Sequence, residues 1–286
     1  MKRIYFVFAA LLLSLFTAAD SYGAIKLRIM SFNIRCLNGG DAPENQWDQR
    51  ADRVGEYINK VKPDLFGMQE VVYKQFEDVK ARVKGYECIY AGRDDGKNSG
   101  EGTPIFYRPD KYRLIKSGHY WLSETPEKPT FGWKAACLRI ALWAVFEDIK
   151  SGERFIYCNT HFDHISVEAR KQSAMLAKDR MRAIDPSLPF IFSADFNTNE
   201  KEETYSLLIN HSYPCLDTWK AAKKREGGPA TFNGWGDVEN VEDNKIDFIF
   251  TSEDTKVKRA VIAPATNEKG EYVSDHNAIW ADIVLK

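Results

Sequence analysis

Four separated stretches of this 286-residue chain each run from an apolar, strand-like core into a carboxylate with an amide or imidazole side chain close by. They are Phe66-Gly67-Met68-Gln69-Glu70, Cys158-Asn159-Thr160-His161-Phe162-Asp163-His164, Phe192-Ser193-Ala194-Asp195-Phe196-Asn197 and Val273-Ser274-Asp275-His276-Asn277. Strand ends are rigid because the strands behind them are buried, so polar groups placed there can converge on one point. Four such ends call for a fold that gathers strand termini together, and they point to one polar site built from the whole length of the chain.

The intervening sequence supplies the scaffold. Residues 25–34 alternate apolar and polar side chains, which predicts a strand ending at Asn33. Trp47, Ala51, Val54, Tyr57 and Ile58 recur at helical spacing, and Pro63 closes that helix. Further helices are expected over 73–83, 167–184 and 202–209. Strands are expected over 64–70, 86–91, 104–108, 112–122 (with Gly118 a point where the run could break), 138–149, 154–162, 189–196, 246–251, 256–262 and 278–285. Residues 92–100, 123–133 and 227–242 read as polar or Pro- and Gly-containing loops. Many strands with few helices between them fit an α/β sandwich, sheets inside and helices outside. Strand pairs with no helix between them argue against a regular strand–helix barrel.

The bulk properties narrow the setting. With 44% hydrophobic and 28% charged residues the chain can bury a large core, and no linker-like stretch divides residues 24–286, which reads as one domain and as a monomer. Met1-Lys2-Arg3 followed by an apolar run to Ala19 reads as a secretory signal over residues 1–23, cleaved after Ala19 or Gly23. That run is too short for a membrane span, which needs about 20 residues. The expected location is therefore secreted or periplasmic. Five cysteines cannot all pair within one chain, and none has zinc-knuckle spacing, so mostly free thiols are expected. A net charge of −1 lacks the basic excess of a protein that grips duplex nucleic acid through many phosphates.

The strand-end residues have a common chemistry. A hard divalent cation takes oxygen ligands, and Mg²⁺ uses only one or two carboxylates with waters and phosphate oxygens. Glu70, Asp275 and Asn33 suit such a site, with Mg²⁺ or Mn²⁺ favoured over zinc. His276 needs a partner to fix its tautomer and keep it cationic, and Asp247, an acid opening the apolar run 246–250, needs a partner to be buried. Asp195 offers a general base for a water molecule, and Asn197 a neutral donor to a phosphate oxygen. His161 has the same requirement as His276, with Glu101 a possible partner. Of five histidines, three lie in these motifs, which favours a site.

In this order the segments Ser31-Phe32-Asn33-Ile34-Arg35, Met68-Gln69-Glu70, Asn159-Thr160-His161, Ala194-Asp195-Phe196-Asn197, Ile246-Asp247-Phe248-Ile249 and Ser274-Asp275-His276 resemble the endonuclease/exonuclease/phosphatase superfamily of deoxyribonuclease I-like enzymes. The distinctive loops resemble an exported bacterial branch of it. The resemblance implies a four-layer sandwich, two packed mixed β-sheets flanked by helices. It implies a metal site of Glu70, Asn33 and Asp275, and Asp195 acting on the attacking water with Asn197 holding phosphate. It further implies an Asp247–His276 pair, His161 with Glu101 as its carboxylate, and Arg139 as a phosphate contact. Most members carry Gly where this chain has Ala194, a difference that matters only if the backbone there needs positive φ or close approach.

The implied activity is Mg²⁺- or Mn²⁺-dependent hydrolysis of a phosphoester by in-line attack of water. The substrate is a small phosphorylated molecule or a nucleic acid, and the missing basic excess favours the former. A secreted endonuclease is the alternative. A binding module that has lost its chemistry would be expected to lack a key acid, and Glu70, Asp195, Asp247 and His276 are all present.

Overall fold

Alternation of side chains along each central strand decides the architecture. The computed structural model describes residues 23–286, so the expected leader, apart from Gly23, lies outside the described residues. In chain order the first half comprises β1 (Ile25–Asn33), α1 (Trp47–Val61), β2 (Leu65–Gln69), α2 (Tyr73–Arg82), β3 (Glu87–Ile89), β4 (Ile105–Tyr107), β5 (Tyr112–Trp121) and β6 (Ile140–Asp148). The second half comprises β7 (Arg154–His161), α3 (Val167–Ile184), β8 (Phe190–Asp195), α4 (Glu203–Asn210), β9 (Cys215–Asp217), α5 (Thr218–Ala221), β10 (Arg225–Gly227), β11 (Asp247–Ser252), β12 (Lys256–Ile262) and β13 (Ile279–Leu285).

Two mixed sheets result, one in the order β10-β12-β13-β1-β2-β4-β3 and the other β5-β6-β7-β8-β11-β9. β1 runs parallel to β2, and β7 parallel to β8. Period-2 alternation sends odd-numbered residues of β1 (Ile25, Leu27, Ile29) to the core between the sheets. Met30 and Phe32 go to the other face, where they meet Trp47, Val54 and Ile58 of α1 and Phe76 and Val79 of α2. In the second sheet Ile191 of β8 and Ile249 of β11 join the inter-sheet core. Phe192, Phe248 and Phe250 pack outward with Ala174, Ala177 and Met181 of α3. This is the expected four-layer sandwich, helices on each outer face.

The helices form where their apolar spacing predicts. α1 buries Trp47, Ala51, Val54 and Ile58 on one face and stops at Lys62, which takes a left-handed conformation before Pro63. Three features differ from the sequence reading. β5 runs unbroken through Gly118, and its irregularity falls between Leu114 and Lys116 instead. β6 begins at Ile140 rather than residue 138, which leaves Arg139 at the strand's mouth. The short β9, α5 and β10 carry too few residues to show periodicity, and pairing with β11 and β12 defines the two strands. No described helix is long and apolar enough to cross a membrane.

Candidate active site

Toward one end of the sandwich the inter-sheet faces change from apolar to polar. β1 passes from Ile29 to Ser31 and Asn33, β2 from Leu65 through Gly67 to Gln69, β7 from Tyr157 to Asn159 and His161, and β8 from Ile191 to Ser193 and Asp195. The first polar layer is fully buried and hydrogen-bonded within itself, with Gln69 Oε1 alone among its side-chain atoms left without a partner. Gln69 donates to Asn159 Oδ1 (2.7 Å) and to Ser31 Oγ (3.1 Å), Ser193 Oγ donates to the same Asn159 oxygen (3.0 Å), and Asn159 Nδ2 donates to the Met68 carbonyl (2.8 Å). Gly67 leaves room for Asn159, since a Cβ there would collide with the Asn159 amide and the Tyr157 hydroxyl. A buried network of this kind ties the two sheets together in one register.

The next layer is the site itself, facing a cavity of about 410 Å³. Asp195 is held at both oxygens: Asn33 Nδ2 donates to Oδ2 (2.9 Å) and the Asn197 amide to Oδ1 (2.9 Å). His276 sits with Nδ1 2.8 Å from Asp247 Oδ2 and Nε2 3.8 Å from Asp195 Oδ2. Asp247 opens β11 directly opposite Asp195, and Thr231 Oγ1 accepts from the Ile246 and Asp247 amides at 2.9 Å each. Glu70 accepts from Asn33 Nδ2 (3.0 Å) and from the Cys36 amide (2.9 Å). Glu70 and Asn197 both adopt positive φ (61° and 48°), a strained choice for the glutamate that turns its carboxylate off the end of β2.

The electrostatics separate these groups. Burial disfavours a charged imidazole at His276, yet Asp247, by charge and hydrogen bond, and Asp195 raise its pKa to about 10. Burial and the neighbouring Asp247 charge push Asp195 up to about 7, against the opposing pull of His276. Burial pushes Glu70 upward too, but the Asn33 and Cys36 hydrogen bonds and the His276 and Arg35 charges bring it below the usual carboxylate value. Asp275 is raised by burial and by Glu70. His161 is held neutral by burial and by the Arg139 and Arg93 charges.

All ten residues expected from sequence reach this end of the molecule, but three are engaged differently from the expectation. Asn33 turns its amide nitrogen to Glu70 and Asp195, while its oxygen accepts from the Arg35 amide (3.0 Å). It therefore holds the two carboxylates through its nitrogen, while its oxygen serves the Arg35 amide. Asn197 has its side-chain nitrogen on the Phe162 carbonyl and on His161 Nε2 (3.0 Å each), so both its hydrogens are taken and it orients His161 rather than a phosphate. Glu101 does not partner His161. Arg93 Nη1 holds its Oε2 at 2.7 Å.

Arg139 is buried at the cavity wall. Its Nη2 lies 3.1 Å from His164 Nδ1, so His164 accepts there and carries its proton on Nε2. Arg35 is braced by Asp41 (2.8 Å) and stands 3.7 Å from Asp275. Sequence reading gave Arg35 and His164 no individual role. It missed Arg50 as well, a fully buried arginine whose guanidinium donates to the Ile34, Arg35 and Val273 carbonyls and so ties the β1 exit to the segment bearing Asp275 and His276. Its signal was faint, a charged residue on the apolar side of a helix. All five cysteines are free.

The donor set fits a hard dication. Ligand atoms of Glu70, His161 and Asp195 lie within 4.8 Å of one another, as do those of Asp195, Asp247 and His276. In the first group His161 Nε2 already accepts from Asn197, and in the second the raised imidazolium fills the space. What remains for a cation is Glu70, with Asp275 facing the same cavity, a sparse oxygen set of the kind Mg²⁺ or Mn²⁺ accepts.

Comparison with known proteins places this geometry. The model of the Endonuclease/Exonuclease/phosphatase family matches residues 30–276. An endonuclease/exonuclease/phosphatase from Bacteroides vulgatus is 38% identical, with a TM-score of 0.87 over 92% of this chain and 100% of that one. A mannosyl-6-phosphatase from Bacteroides thetaiotaomicron is 33% identical, with a TM-score of 0.84 over 90% of this chain and 99% of that one. An uncharacterized protein of Acanthamoeba polyphaga mimivirus is 29% identical over 60% of this chain, and the match spans 66% of its own length.

Proposed function

Since the chain belongs to the endonuclease/exonuclease/phosphatase family, we propose that it is a divalent-metal-dependent phosphoester hydrolase whose substrate is a small phosphorylated sugar. The observation carrying the chemistry is the Asp195 carboxylate, fixed at both oxygens beside the Asp247–His276 pair. The small substrate is supported by the bounded cavity, by the absence of a basic excess and by the likeness to the mannosyl-6-phosphatase. An endonuclease working on duplex DNA would be expected to carry a broad basic face.

Each residue has a defined task in this reading. Asp195, unable to swing because Asn33 and the Asn197 amide hold it, accepts the proton of the attacking water as the new P–O bond forms and the ester P–O bond breaks in line. The leaving sugar oxygen takes up a proton from solvent and departs as the alcohol. His276 stays cationic through Asp247 and donates from Nε2 to a phosphoryl oxygen that gains charge. Arg139 supplies fixed positive charge from the opposite wall. A dication bound at Glu70 and Asp275 would add Lewis acidity and neutralise the phosphate oxygens.

The test is a panel of mannose 6-phosphate, phenyl phosphate, sphingomyelin, RNA and plasmid DNA, each with Mg²⁺ and with EDTA. Hydrolysis of the sugar phosphate is expected, abolished by EDTA and reduced roughly 100- to 10,000-fold in Asp195→Asn. Equal rates in wild type and Asp195→Asn would sink the site assignment, and rapid Mg²⁺-dependent DNA cleavage would sink the small-substrate reading.

A further inference from the structure

The active-site cavity is graded from depth to mouth. Asp195, His276 and Arg139, the groups that would meet the phosphate, are only 2%, 4% and 5% exposed. His164 lines the same cavity and is the one exposed residue among the described residues that do. A phosphoester seated with its phosphorus at the buried level carries its leaving group outward, toward that mouth.

The turn bearing His164 is anchored from both sides by one buried carboxylate. Asp163 Oδ2 accepts from the Ala136 and Cys137 amides (3.0 and 3.3 Å), and Oδ1 accepts from the Ile165 and Ser166 amides (3.1 and 2.8 Å). Ser166 caps α3 by accepting from the Ala169 amide (3.1 Å), and its hydroxyl donates to the Trp133 carbonyl (2.9 Å). The loop before β6 and the turn after β7 are thereby held as one wall. Asp163 also stands 3.6 Å from Arg139 Nε, so its charge faces the guanidinium at the centre of that wall.

This scaffold leaves one donor free at the mouth. Arg139 Nη2 lies 3.1 Å from His164 Nδ1, and an arginine only donates, so the imidazole carries its proton on Nε2. His164 Nε2 has no hydrogen-bond partner among the described residues, whereas Arg35 is engaged by Asp41 and Arg93 by Glu101. The buried guanidinium and the His276 imidazolium suit an anion, while a neutral N–H outside them suits a neutral oxygen. Resting on the phosphoester-hydrolase reading of the site, we infer that His164 is a specificity residue that donates from Nε2 to an oxygen of the substrate's sugar. Asp163 is the positioning residue that holds its turn.

The variant that tests this is His164→Asn, whose side-chain oxygen can still accept from Arg139 but which has no donor at the reach of Nε2. The quantity to measure is the ratio of kcat/KM for mannose 6-phosphate to that for phenyl phosphate, which offers no oxygen beyond its ester and phosphate. The ratio should fall roughly three- to tenfold, the scale of one lost neutral hydrogen bond. Inhibition by inorganic phosphate reports on the buried groups alone, and its constant should stay within about twofold of wild type. A ratio equal to that of wild type overturns the inference. So does a phosphate constant that rises as far as the ratio falls, since His164 would then serve only to brace Arg139. A wild type inactive on the sugar phosphate with Mg²⁺ overturns the underlying reading instead.

Discussion

Asp195 and His276 share one buried space, and the protonation of each depends on Asp247. Hydrolysis needs Asp195 ionised to accept a proton and His276 protonated to donate one. With Asp195 pushed up to about 7, activity should rise with pH through that region. With His276 raised to about 10, activity should hold above neutrality and fall only as the imidazolium deprotonates near 10. Asp247→Asn removes the charge that raises His276 while burial continues to lower it, so the alkaline limb should move to lower pH. A pH–kcat profile that keeps its alkaline limb in place in that variant would refute the pairing. Ala194 is benign at this scale. It is fully buried among the aromatic side chains on the helix-facing side of β8, away from the cavity, and has no positive φ. The identities of Asp195, Asp247, Glu70 and His276 were legible from their places at strand ends. The roles of Asn33, Asn197 and Glu101 were not, because an amide can donate or accept, and a carboxylate can pair with a histidine or an arginine. Only the neighbours decide.

At the scale of elements, the site depends on the close approach of β2 and β7. Gly67 faces Asn159 and Tyr157 across the gap between sheets, with no room for a methyl group. Gly67→Ala should therefore force the sheets apart or break the Gln69–Asn159–Ser193 network, at a cost of about 1–3 kcal/mol. Urea unfolding measures the loss, and an unchanged midpoint would mean that the network is slack. α1 contributes through Arg50, whose contacts with both the β1 exit and the Val273 carbonyl hold Asp275 near Glu70. The strands and helices themselves were legible because they are long and periodic. β9, α5 and β10 were not, since unlike the equally short β3 and β4 they stood out as no strand-like run, and pairing with β11 and β12 defines the two strands.

The whole molecule divides the labour between its sheets. Glu70 and Asp275, the groups left for a cation, come from the sheet containing β2 and β13, while Asp195, Asp247 and His161 come from the other. Asn33–Asp195 and His276–Asp247 join the two halves. A cation bound at Glu70 should stabilise the native fold, by about 2.7 kcal/mol when its concentration is a hundred times its Kd. Thermal melting with Mg²⁺ against EDTA reads this directly, and Glu70→Gln should abolish the increment; an equal increment in that variant would place the cation elsewhere. By itself the sequence determined that apolar strands would end in acids, amides and imidazoles, and that a sandwich would gather those ends, because side-chain periodicity is local and burial enforces it. Tertiary structure alone decided which polar group answers which. Asn33 meets Asp195 across 162 residues, and Arg93 claims Glu101 before His161 can. Hydrogen-bond direction depends on distances and angles between segments that the sequence does not connect.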